Sequence, residues 1–138
     1  MQFDENITTP PLISILHREH AKYLNEKVKK ENLSYGLQPM LVTIYKNEGI
    51  IQEQLAKYYN LNESTITRNL KKLEEKGLIE RIPEKRTKMI KVTSKGGKIA
   101  EKVMDYDEKW DVKLKECLTK EEYDNLKRTL LKICEVLV

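Results

Sequence analysis

Ser64, Thr65, Thr67 and Arg68 place three hydroxyls and a guanidinium within five consecutive positions, and Lys71 and Lys72 follow a turn later. Hydroxyls donate and accept hydrogen bonds, and the cations meet anions. Short polar residues followed by cations, near the start of a helix, are the set that reads base edges in a DNA major groove. A second cationic set, Lys85, Arg86 and Lys88, lies at the tip of an expected hairpin. There it can lie against phosphate or enter a minor groove.

Other chemistry is thin. His17 and His20 have an i, i+3 spacing that can hold zinc, but no third and fourth ligand is evident, so no metal is expected. Cys117 and Cys134 are too few for a disulfide framework. On a final helix starting near Thr119, Cys134 lies about 22 Å along the axis. That distance rules out a bridge to Cys117 within one chain, and leaves pairing between subunits or two plain thiols. The chain has no phosphate-binding glycine loop, no His-Glu-x-x-His and no G-x-S-x-G. Neither an enzyme nor a cofactor is expected.

The elements that must position these residues follow from composition and periodicity. The chain has 138 residues, 39% hydrophobic and 35% charged, with 5 glycines and 4 prolines. That balance suits a helix-rich fold with solvated faces rather than an all-β sandwich. Residues 50–95 carry 11 Lys and Arg against 6 Asp and Glu, while the flanking segments are close to neutral. A basic centre between neutral arms points to an anionic partner. With no apolar run long enough to span a bilayer and no apolar leader, the expectation is a soluble, cytoplasmic protein without membrane contact.

A first helix is expected from about Pro11 to Asn32, with Leu12, Leu16, Tyr23 and Val28 near one face. A second starts near Leu37 and ends at Asn47-Glu48-Gly49, Gly49 supplying a left-handed residue. A short helix over 50–59 buries Leu55, Ala56 and Tyr59. After a turn, Asn62 caps a helix to Lys76 that buries Ile66, Leu70 and Leu73. Leu78–Ile82 and Lys88–Thr93 form a hairpin around a turn at 83–87. Ser94 is the candidate cap of a long helix, and Thr119 with Glu122 forms a capping box for the last one.

Helix, helix, short helix, turn, helix and hairpin make a winged helix-turn-helix. The expected fold is mainly α with a two-stranded wing: an N-terminal helical segment at 1–36, the DNA-binding unit at 37–95 and C-terminal helices at 96–138. The apolar stripes of the first and last helices cannot be buried by a helical hairpin alone. Leu12, Leu16, Leu126, Leu130, Ile133 and Leu137 are therefore the expected dimer contacts, and two-fold symmetry would match two operator half-sites. Tyr23, Tyr35, Tyr45, Tyr106 and Trp110 are core residues by their helical spacing, or line a crevice for a small-molecule effector.

Several segments in order resemble the MarR family of transcriptional regulators. They are Gln54-Leu55-Ala56, Glu63 to Leu70, Leu73 to Arg81, Val92 to Lys98 and Leu118 to Glu122. The resemblance runs from about Leu12 to the C-terminus. It implies a triangular homodimer joined through its terminal helices, pseudo-palindromic double-stranded operators, and release by a small ligand or oxidant. Ser64, Thr65, Thr67 and Arg68 carry over as groove residues and Arg86 as the wing residue. Two departures stand out. Glu84-Lys85-Arg86 replaces the family's Asp-Arg-Arg in a shorter wing, which favours phosphate contact over minor-groove insertion. Ile51 stands where the family often has a capping threonine, which weakens the start of the short helix. Two other readings stay open: a winged-helix protein-interaction module, and a non-specific nucleoid-type DNA binder.

Overall fold

The computed structural model describes residues 2–31 and 33–138. Its elements are α1 (Thr9–Lys27), a 3-10 turn (Lys29–Glu31), α2 (Gln38–Lys46), α3 (Gln52–Tyr59), α4 (Glu63–Glu75), β1 (Ile79–Glu84), β2 (Thr87–Val92), α5 (Ser94–Cys117) and α6 (Lys120–Leu137). This is the mainly helical winged architecture expected. The first helix ends earlier than its periodicity suggests. Val28 closes it, donating its N–H to the Leu24 carbonyl, and the 3-10 turn follows. The expected stop at Asn32 lies outside the described residues.

Local rules account for most of the remaining ends. Asn62 Oδ1 accepts from the Thr65 N–H at 2.9 Å, capping α4. The Thr119 hydroxyl accepts from the Glu122 N–H at 3.1 Å while the Glu122 carboxylate accepts from the Thr119 N–H at 2.9 Å. Gly49 and Gly77 take positive φ where α2 and α4 give way to the next segment. The cap of α5 is Thr93 rather than Ser94: the Thr93 hydroxyl accepts from the Gly96 N–H at 3.0 Å and donates to the Gly77 carbonyl. Ser94 is the first helical residue.

The hairpin is tighter than the sequence suggests. Glu84 pairs with Thr87, so the loop is Lys85-Arg86 alone, and Pro83 pairs with Lys88 inside the sheet. Antiparallel pairs alternate between bonded and non-bonded. The loop-closing pair is bonded, so the Pro83 pair is not, and the missing proline N–H costs no ladder bond. The same alternation turns the Ile90 N–H outward. It donates to the Ile50 carbonyl at 2.9 Å, and Ile51 bridges Met89. Through this bond and the isolated bridge, Ile50 and Ile51 tie the edge of the two-stranded wing to the helix-turn-helix. They are not the first turn of α3, which begins at Gln52.

One core lies beneath α2, α3, α4, the wing and the first half of α5. Leu41, Ile44, Leu55, Ile66, Leu70 and Leu73 are its centre, roofed by Leu78, Ile90, Ala100 and Val103. Ala56 and Tyr59 are only partly buried at its edge. From α1 the core receives Val28, with Leu24 also buried. From α6 only Tyr123 is buried.

Gly96 marks where α5 presses on the wing. A Cβ there would fall on the Leu78 carbonyl, which is backbone and cannot swing away. A Cβ on Gly97 meets only side chains at ordinary contact distance, the Tyr45 ring at 3.6 Å and Val92 at 3.9 Å. Gly96→Ala is expected to lower the unfolding free energy by at least about 1–3 kcal/mol, the usual range for overpacking. Gly97→Ala is expected to be neutral or to stabilise the helix by up to about 1 kcal/mol. Urea unfolding of both variants checks the contrast; equal losses would remove the close approach as its cause.

Candidate nucleic-acid interface

Burial of Ile66, Leu70 and Leu73 orients α4. At 100° per residue the opposite face carries Ser64, Arg68 and Lys71, with Thr67 and Lys72 on its flanks. All five are exposed, and Thr65 is half-buried. They belong to a hydrogen-bonded set. Ser64 Oγ donates to the capping Asn62 Oδ1 at 2.8 Å, and Arg68 Nη2 donates to Thr65 Oγ1 at 3.3 Å. Gln52, the first residue of α3, donates from Nε2 to Thr67 Oγ1 at 2.8 Å. Sequence reasoning passed over Gln52, because the contact joins two helices across a turn. At the start of α3, Ile51 has no side-chain acceptor to cap with. Instead Gln54 Oε1 accepts from the Ile51 N–H at 3.0 Å.

Lys85, Arg86 and Lys88 are exposed on the wing. A cleft of about 310 Å³ lies between the wing and the start of α3, lined by Gln52, Glu53, Arg81, Arg86 and Lys88 among others. Arg81 is committed elsewhere. Its Nε stands 3.4 Å from Glu74 Oε2, an ion pair between β1 and α4. Gln52 thus touches Thr67 on α4 and lines the wing cleft with Arg86 and Lys88, whereas Lys72 lies on the other flank of α4, in a hollow with Asn25, Lys29 and Lys76.

The five aromatic crevice candidates do not share one cavity. A cavity of about 290 Å³ lies between α1, α2 and α5 and is lined by His20, Tyr35, Gln38, Val42, Tyr59 and Asp107 among others. Of the five, only Tyr35 lines it. Trp110 lines a shallower neighbouring hollow. Tyr23 packs edge-on against Tyr106 and at a tilt against Trp110, with ring centroids 6.5 and 5.4 Å away. Tyr45 donates to Glu101 at 2.6 Å, outside the cavity. His20 takes part through both nitrogens: Nδ1 lies 2.9 Å from the Tyr35 hydroxyl and Nε2 3.0 Å from Asp107 Oδ1. Burial and the Asp107 charge hold the Tyr35 phenol above its ordinary pKa, so it stays protonated at neutral pH. Gln38 is fully buried. Its Nε2 donates to the Leu33 carbonyl, and its Oε1 has no partner among the described residues.

His17 packs edge-on against the Tyr35 ring. No group of three potential metal-binding side chains occurs among the described residues. Cys117 and Cys134 are free and exposed. Among the described residues no helix is long and apolar enough to cross a membrane.

A half-buried helix with a polar, cationic outer face, braced by a second helix and flanked by a basic hairpin, defines a winged helix-turn-helix protein. Residues 39–88 match the model of the MarR family. The chain is 30% identical over 123 residues to the HTH-type transcriptional regulator BilQ of Clostridium symbiosum, covering 87% of this chain and 85% of that protein. It is 38% identical over 90 residues to the HTH-type transcriptional regulator YybA of Bacillus subtilis, a match spanning 63% of this chain and 60% of that one. Among solved structures, it superposes on MarR with a TM-score of 0.85 at 28% identity, covering 98% and 94% of the two chains. A MarR-family regulator from Listeria monocytogenes, crystallised with a 26mer DNA, gives 0.82 at 27% identity, with 99% and 90% covered. The chain belongs to the MarR family of transcriptional regulators, a family of DNA-binding proteins rather than enzymes.

Lys85 holds a left-handed φ of +54° in the two-residue loop. A side chain there costs roughly 1–2 kcal/mol relative to glycine before glycine's own entropy cost is counted. Lys85→Gly is expected to raise the unfolding free energy by up to about 1 kcal/mol while removing one wing charge. Thermal unfolding decides it: a lower melting temperature would show that the loop holds lysine without strain.

Proposed function

We propose that this chain is a cytoplasmic repressor that binds a pseudo-palindromic operator of a nearby operon as a homodimer and is released by a small ligand. The observation that carries the DNA reading is the shared exposure of Ser64, Thr67, Arg68, Lys71 and Lys72 on α4 beside Lys85, Arg86 and Lys88 on the wing. In this reading α4 lies in the major groove, with Thr65 behind its leading edge, and the wing holds phosphate. The Listeria relative bound to a 26mer duplex supports it.

The dimer reading rests on apolar surface that one chain leaves in water. Leu12, Leu16, Leu126, Leu130, Ile133 and Leu137 are all at least 36% exposed, Leu137 reaching 78%. Such exposed apolar stripes on two terminal helices call for a partner of the same kind, because a two-fold axis also spaces two recognition helices for one side of a duplex. Residues 1–36 and 96–138 then serve assembly, and 37–95 serve DNA. The cavity of His20, Tyr35 and Gln38 between the two parts is the place for an effector, near the lower end of ligand-pocket volumes.

Fluorescence anisotropy on the duplex upstream of the chain's own gene, against a shuffled duplex at two salt concentrations, tests the DNA reading. The expected penalty for shuffling is about a thousandfold or more. Equal, strongly salt-dependent binding to both would favour a non-specific binder, and no binding at low salt a protein-interaction module. Arg68→Ala is expected to cost about 1–3 kcal/mol on the specific site and to relax preference at one base pair. Equal losses on specific and shuffled DNA would reduce Arg68 to a phosphate contact. Leu130→Glu is expected to turn a dimer into a monomer in sedimentation; an unchanged dimer would place the interface elsewhere.

A further inference from the structure

We propose that Gln52 is a specificity-determining residue that works through Thr67: by donating a hydrogen bond to the Thr67 hydroxyl, it commits that hydroxyl to act as a donor in the major groove. The inference rests on the DNA-binding reading above and names a residue and a polarity within it.

The argument starts from hydroxyl stoichiometry. A threonine hydroxyl has one hydrogen and two lone pairs. Gln52 Nε2 stands 2.8 Å from Thr67 Oγ1 and fills one lone pair. The hydroxyl hydrogen cannot point back at an N–H donor, so it must go elsewhere. On a helix its usual escape is the carbonyl four residues back. Thr43 in α2 takes that route, donating to the Pro39 carbonyl at 3.0 Å. Thr67 makes no such bond among the described residues, and its side chain is exposed. Its hydrogen is therefore directed to whatever lies against α4.

In a major groove that partner must be an acceptor: guanine O6 or N7, adenine N7, or thymine O4. The exocyclic amines of cytosine and adenine are donors and would confront the hydroxyl with a second donor. Ser64 spends its hydrogen on Asn62. Thr65 also accepts a donor, from Arg68, but it is half-buried, which leaves Thr67 as the exposed hydroxyl so constrained. Gln52 is itself held at a fixed place, as the first residue of α3, directly after the Ile51–Met89 bridge to the wing. Its amide joins α3 to α4 at the point where both would face the duplex.

The test is selection of binding sites from a random duplex pool by the full chain. It uses wild type, Gln52→Ala, Thr67→Val, the double variant and Gln52→Glu, each first checked for an unchanged melting temperature. Wild type is expected to enrich an acceptor-bearing base edge at one position of each half-site. Gln52→Ala and Thr67→Val are expected to relax that same position by about tenfold, the order of one base contact, and the double variant no further. Gln52→Ala removes no charge, so the salt dependence should stay as in wild type. Gln52→Glu supplies the sharpest readout. A carboxylate only accepts, so it takes the Thr67 hydrogen and leaves lone pairs toward the groove. The preferred edge at that position should change from an acceptor to the amine of adenine or cytosine. The proposal is overturned if Gln52→Ala weakens all duplexes equally, alters a different position from Thr67→Val, or leaves the selected site unchanged. If wild type enriches no site at all, the DNA-recognition reading fails first, and this inference falls with it.

Discussion

The burial of Ile66, Leu70 and Leu73 is the constraint on which the rest of the structure depends. Each is fully removed from water against a core that includes Leu41, Ile44, Leu55 and Ile90. Full burial of one such side chain is worth about 1.5–3 kcal/mol. Three of them on one stripe fix the rotation of α4 about its own axis, and that rotation decides which residues face outward. A helix turned by one residue toward Thr67 would bury that threonine and swing Ile66 and Leu73 out toward solvent. The polar face of α4 is thus a consequence of its apolar one.

The wing is subordinate to the same core. Ile90 is buried beneath it, the Ile90 N–H bonds the Ile50 carbonyl, and Arg81 reaches Glu74 on α4. Those three contacts join the wing, the Ile50–Ile51 segment and α4 into one body. The charges at Lys85, Arg86 and Lys88 consequently keep a set distance from Ser64, Thr67 and Arg68. Gly96 seats α5 on the same body at Leu78.

Away from this body the packing thins. The first turns of α1 and most of α6 leave their apolar stripes exposed, so their helicity alone does not explain their sequence. Between the two regions His20 joins α1 to Tyr35 and to Asp107 on α5, while the side-chain carbonyl of the buried Gln38 has no partner among the described residues.

What the sequence by itself determined are the features that obey local rules. The period of Ile66, Leu70 and Leu73, the caps at Asn62 and Thr119, the positive φ of Gly49 and Gly77, and the hairpin all depend on residues a few positions apart. The exposed polar face of α4 was legible for the same reason. Tertiary structure decided what depends on how separate elements meet. Gln52 reaches Thr67 across 15 residues, and His20 reaches Asp107 across 87. Ile50 and Ile51 read as helix until β2 offers them an edge, and Tyr45 reads as crevice until α2 turns it toward Glu101. Periodicity fixes which side of a helix is apolar; only the docking of helices against one another fixes which polar groups come within 3 Å.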